Sequence, residues 1–166
     1  MRFGKITFIL VVLLCIFEIT RLWFLVPAHL ASHFNFQGNP DGFMPKVDFF
    51  ASQIQMTLVV IGVALLMQVL ILVTPAKWIN TPNRAYWLVP EHHDQMVENL
   101  SSFGFALFAA ILLVVQVGFE LAIYGNLQKP IIFSAQLMLP VIAGFFIYSF
   151  VLLFLLTRSF RRPSGS

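Results

Sequence analysis

Residues 54–74 read IQMTLVVIGVALLMQVLILVT, an apolar run with no charged side chain. A helix rises about 1.5 Å per residue, so a run of this length covers about 30 Å, the thickness of a bilayer's hydrocarbon core. Backbone groups in hydrocarbon must bond within their own segment, which a helix achieves and an open strand does not. Three more stretches share this character, over residues 6–26, 103–124 and 133–157. Together they predict an all-α integral membrane protein, one four-helix domain over residues 1–166. A loop at 27–53 and another at 75–102 join the helices.

Composition agrees. Of the 166 residues, 59% are apolar and 10% are charged. A soluble domain carries about 45–50% apolar and about 25% charged residues, so this chain would expose large apolar patches in water. The net charge is +3 with no dense Lys/Arg block, which argues against nucleic-acid binding. The lone cysteine, Cys15, can form no internal disulfide, and no zinc-type Cys/His spacing occurs. Arg2 and Lys5 before the first apolar run raise a signal peptide, but the run is long and carries Glu18 and Arg21, so an uncleaved helix is expected.

Orientation follows from basic residues, which favour the cytoplasmic side. Arg2, Lys5, Lys77, Arg84, Arg158, Arg161 and Arg162 flank one side, against Lys46 and Lys129 on the other. Both termini are therefore expected in the cytoplasm, with loop 27–53 outside. Trp23 and Tyr124 should lie at the outer interface, and Trp78, Tyr86 and Trp87 at the inner one. Residues 161–166 are expected to form a short basic tail without order.

Charges inside the spans are costly and mark packing clamps, ligand sites or snorkelling side chains. Glu18 and Arg21 share one helix face, as do Gln116 and Glu120. At helical rise Arg21 and Glu120 lie about 6–8 Å below the outer boundary, and Glu18 and Gln116 about 12 Å. Gln55 and Gln136 are expected in the outermost turns of the other two helices, and the inner half holds little beyond Gln68. A polar cluster opening outward is expected, with Arg21 between Glu18 and Glu120.

The outer loop is the richest segment. Asn39-Pro40-Asp41-Gly42 is a turn signal, and His33-Phe34-Asn35-Phe36-Gln37 alternates as a short strand does. A small β-hairpin is expected over the outer mouth, with Phe34 and Phe36 facing down. Pro27 could start a helical turn that sets His29 and His33 on one face. Such a pair binds zinc or copper only with a third ligand, for which Asp41, Asp48, Glu120 and Met44 are candidates, none compelled by spacing. Histidines at an interface without metal are commoner, and no cofactor is expected. In the inner loop, residues 91–100 predict a short amphipathic helix, with Glu91 and Asp94 in its first turn and Met96, Val97 and Leu100 facing the membrane. No HExxH, phosphate loop or GxSxG occurs, so a non-enzymatic role is expected.

Leu25-Val26-Pro27, His33-Phe34-Asn35, Gly38, Pro40-Asp41-Gly42 and Lys46 together resemble a widespread bacterial membrane domain of unknown function. That domain also stands at the front of SdpI-type toxin-immunity proteins. Pro82-Asn83-Arg84, Tyr86-Trp87-Leu88 and Pro90-Glu91 resemble its stand-alone members. The resemblance implies a location in the bacterial inner membrane and supplies no catalytic residues. Immunity proteins carry a further Asn…Gly-x-Arg motif after these helices, which this sequence does not contain. Three roles from different classes remain: recognition of a peptide, lipid or small ligand at the outer face, an accessory subunit packed on a larger membrane-protein complex, or a small transporter or proton relay. The lipid bilayer is a partner in all three.

Overall fold

The computed structural model describes residues 3–75 and 78–161. Arg2, Lys77, Arg162 and the tail from 162 onward, used above for orientation and disorder, lie outside the described residues. Helix α1 (Phe3–Trp23) is followed by strands β1 (His29–Phe34) and β2 (Pro40–Pro45). Then come α2 (Lys46–Val73), the short α3 (Arg84–Trp87), α4 (Pro90–Asn126) and α5 (Met138–Arg161), the last entered through a 3-10 turn at Ala135–Leu137. Four of the helices are long and apolar enough to cross a membrane.

Their bounds differ from the apolar runs for reasons of local chemistry. Helix α2 starts at Lys46, eight residues before the run at 54, because Asp48 in its first turn complements the helix dipole there. Thr74 closes it, its hydroxyl donating to Leu70 O at 2.6 Å before Pro75. Helix α4 opens with Pro90, which lacks only an amide hydrogen that the first turn leaves unpaired. It then runs unbroken for 37 residues. The separate amphipathic helix expected at 91–100 is thus the first third of the third span. Ser101, Ser102 and Phe103 contain no breaker, and Ser102 and Ser101 are buried against neighbours. Met96 accordingly faces protein, not membrane: it is fully buried with Trp87 and Phe160.

Helix α4 is the hub, touching α1, α2 and α5. It runs parallel to α1, as Gly4 against Ser102 and Phe8 against Phe105 show, and antiparallel to α2, where Phe50 meets Phe119 and Gln68 meets Ser101. Gly4 is required by the first contact, because a Cβ there would sit 1.9 Å from Ser102 O. Three apolar cores stack along the bundle. Leu22, Phe50, Phe119 and Ile123 fill the end beneath the strands. Phe8, Val11, Cys15, Val60, Ala64 and Leu112 fill the middle. Trp87, Met96 and Phe160 fill the far end. Helix α5 is the least covered, with only Leu152 and Phe160 buried.

Strands β1 and β2 pair antiparallel, from His29 opposite Pro45 to Phe34 opposite Pro40, with register shifts on either side of His33. The strand lies earlier than the alternation at 33–37 indicates, and residues 35–39 make the turn. His29 stands in a strand and not in a helical turn. Leu30 and Ala31 are wholly buried, while Phe36 is fully exposed and does not face down.

Candidate functional site

The α1–α4 and α2–α4 contacts fix a register that, carried along the helices, sets Glu18, Gln53 and Gln116 at one level. This level lies one to two turns below the end that bears the strands. Arg21 donates from Nε and Nη2 to Glu18 Oε2, at 2.7 and 2.5 Å. Gln116 donates from Nε2 to Glu120 Oε1 at 3.0 Å. Arg21 and Glu120 line one open cleft of about 320 Å³ between α1 and α4, with Tyr124, Leu25, Leu121 and Leu127. They do not pair: among the described residues no Arg21–Glu120 ion pair falls within 4.0 Å. Arg21 therefore does not bridge Glu18 and Glu120, because both its contacts are spent on one oxygen of its own helix.

At this level and one turn deeper the packing leaves polar atoms unmatched. Gln53 Nε2, Thr57 Oγ1 and Gln116 Oε1 are buried without a hydrogen-bond partner. Gln116 is only 2% exposed. An orphaned buried donor or acceptor costs about 1–3 kcal/mol. Sequence reasoning placed Gln55 and Gln136 at this end, but both are exposed. It missed Gln53 and Thr57. Their signal was available: Gln53, Thr57, Val60, Ala64 and Gln68 are the buried stripe of α2. Small and polar residues at helical spacing are what one membrane helix turns toward another.

A second polar layer lies toward the far end. Ser101 Oγ donates to Gln68 Oε1 at 2.5 Å, and Gly4 N donates to Ser102 Oγ at 3.1 Å. Between Thr57 and Gln68 the interior is the apolar middle core.

The residues of the first loop have structural employment. Asn35 Oδ1 accepts from the amides of Gln37 and Asn39, each at 3.0 Å, and so shapes the turn. Gly38 adopts φ +82°, and a Cβ there would meet Phe133 O at 2.2 Å. Phe133 N donates to Gly38 O at 2.8 Å, tying this turn to the loop before α5. Lys46 Nζ donates to Trp23 O at 3.2 Å and lies 4.5 Å from that residue's ring centroid, holding the end of α1. His33 Nδ1 lies 2.5 Å from Asp41 Oδ1, and both side chains are well exposed. His29 is exposed, and Asp48 stands in the first turn of α2. Among the described residues no three His, Cys, Asp or Glu side chains are placed to hold a metal ion.

The residues of the second loop form a clamp. Asn83, in the left-handed region at φ 54°, donates from Nδ2 to Arg161 O at 2.8 Å. Trp87 Nε1 donates to Phe160 O at 3.1 Å. Both serve carbonyls that the last turn of α5 leaves open. Trp87 is 1% exposed, so it belongs to the interior and not to an interfacial belt. Tyr86 stacks on His92 at 3.8 Å, and Glu91 sits exposed in the first turn of α4.

Residues 9–57 match the model of a family described as a domain of unknown function (DUF1648). The matched stretch takes in most of α1, both strands and the first turns of α2, less than a third of the chain. No curated protein and no solved structure matches the chain.

Proposed function

We propose that this chain is a non-enzymatic, multi-pass protein of the bacterial cytoplasmic membrane that recognises a peptide or small ligand at its outer end. Both termini are cytoplasmic in this reading, so the strand-bearing end faces outward. The observation that carries it is the Arg21–Glu120 cleft, where opposite charges share one opening and do not neutralise each other. A site that only clamped helices would close such a pair. The strands above it are pinned at several points, which supplies a rigid rim for recognition. Immunity to a secreted peptide, or sensing of one, is the specific form of this role that the resemblance to SdpI-type proteins implies.

The relay reading is disfavoured by the apolar middle core. Thr57 and Gln68 are eleven residues apart, about 16 Å of helix with no polar side chain facing inward between them. The accessory-subunit reading draws on α5, whose apolar surface lies almost entirely uncovered.

The test is the protein in nanodiscs, melted in the presence of synthetic amphipathic peptides. A Tm rise that Arg21→Ala and Glu120→Gln each remove supports recognition at the cleft. A rise indifferent to both changes overturns it. Recovery from mild detergent only as a stoichiometric part of a larger complex also overturns it, in favour of the accessory subunit.

A further inference from the structure

We infer that the cleft between α1 and α4 holds an aminophospholipid, its ammonium on Glu120 and its phosphate on Arg21. This rests on the reading of the cleft as a recognition site and names a ligand class for it. Glu18 pairs with Arg21, and Glu120 has no basic partner within 4.0 Å among the described residues. Glu120 therefore lacks a counter-charge of its own, while Arg21 gives Nε and Nη2 to Glu18 and keeps Nη1 open. Charges at such depth are held by partners of opposite sign.

The open hydrogen-bonding positions specify the partner further. Glu120 uses Oε1 to accept from Gln116, and Oε2 has no partner among the described residues. A carboxylate oxygen left open asks for an N–H donor, and a primary ammonium offers three. A trimethylammonium offers none. On the other wall, Arg21 Nη1 makes no hydrogen bond among the described residues, and guanidinium is well matched to a phosphate oxygen.

The walls complete the case for a lipid. Leu25, Tyr124 and Leu127 are exposed beside the two charges, so the cleft opens sideways onto the apolar surface of the helices. Its volume of about 320 Å³ accommodates a headgroup, with acyl chains continuing along that surface. A peptide amine is the competing source of the same ammonium, and the experiment separates them.

Wild-type protein is released from nanodiscs of equimolar phosphatidylethanolamine, its N-monomethyl form and phosphatidylcholine, and its retained lipid is read by native mass spectrometry. Retention of the ethanolamine lipid is expected to exceed that of the choline lipid by about tenfold, with monomethylated lipid between them. This ranking requires no variant to fold. Glu120→Gln is expected to abolish it, while Glu91→Gln, in the exposed first turn of α4, leaves it intact. Equal retention in the wild type, or a preference that survives Glu120→Gln, overturns the inference. If lipid preference is absent while the peptide-induced Tm rise persists, the lipid assignment falls and recognition at the cleft stands. If both are absent, both fall.

Discussion

The side-chain amide of Asn126 closes two hydrogen bonds on the backbone of Ala31, ninety-five residues away. Oδ1 accepts from Ala31 N at 2.6 Å and Nδ2 donates to Ala31 O at 3.0 Å. The last residue of α4 thus stands in for a neighbouring strand at the point where the β1–β2 register begins to shift. Asn126→Ala leaves two buried backbone groups unmatched, at about 1–3 kcal/mol each. Amide exchange across residues 29–34 is expected to accelerate sharply, while the cores of α1 and α4 keep their protection. Unchanged exchange would show that the strands are held by other contacts.

Gly38→Ala combines a disfavoured positive φ with a clash on Phe133 O. Backbone strain of this kind costs about 1–3 kcal/mol. The expected result is a lower Tm and parting of the Phe34–Phe133 ring contact, now at 5.3 Å between centroids. Fluorescence quenching between labels at 36 and 131 would read it.

Asn83→Ala deletes two hydrogen bonds to the end of α5, at Phe160 O and Arg161 O, and Trp87→Phe deletes one, each worth about 1 kcal/mol. Fraying of residues 155–161 by hydrogen exchange is the expected readout, with little change at the strand-bearing end. The double variant should be less stable than the two single ones predict separately, since both serve the same helix terminus.

Gln53→Leu is expected to be tolerated better than Gln68→Leu. Gln53 carries an orphaned Nε2 in a buried position, so leucine removes a cost and Tm is expected to hold or rise. Gln68 has an orphaned Nε2 as well, but its Oε1 accepts from Ser101, so leucine strands that hydroxyl and Tm is expected below that of Gln53→Leu. Thermal melts in one detergent decide it.

Topology is open to direct measurement. In a Cys15→Ser background, Phe36→Cys should react with an impermeant maleimide on intact cells, because Phe36 is fully exposed. Glu91→Cys, at the opposite end, should react only after lysis. The reverse pattern would invert the molecule and remove the cleft from the outer face.

The four spans were readable because length and apolarity alone distinguish a helix in hydrocarbon. Their ends were not, since Lys46 and Asp48 start α2 by dipole and turn chemistry that hydropathy ignores. Glu18, Arg21, Gln116 and Glu120 stood out because charge and amide are rare in such runs. The partition into an Arg21–Glu18 pair and a Gln116–Glu120 pair depends on side-chain reach, which spacing does not contain. Gln53 is not distinguished from Gln55 by sequence, because only the face turned toward α4 separates them. Asn83 and Trp87 were noticed as a motif, yet their partner lies at the other end of the chain, in α5.

The apolar middle core has an electrical consequence. Phe8, Val11, Val60, Ala64 and Leu112 form a dry dielectric slab between two polar layers. A membrane voltage falls mainly where water and mobile charge are absent, at about 2.3 kcal/mol per elementary charge for each 100 mV crossed. A charge seated at Glu120 lies on one side of that slab and traverses little of the field on entry. Occupancy of the cleft is therefore set by concentration in the adjoining leaflet and stays the same whether the cell is energised or depolarised.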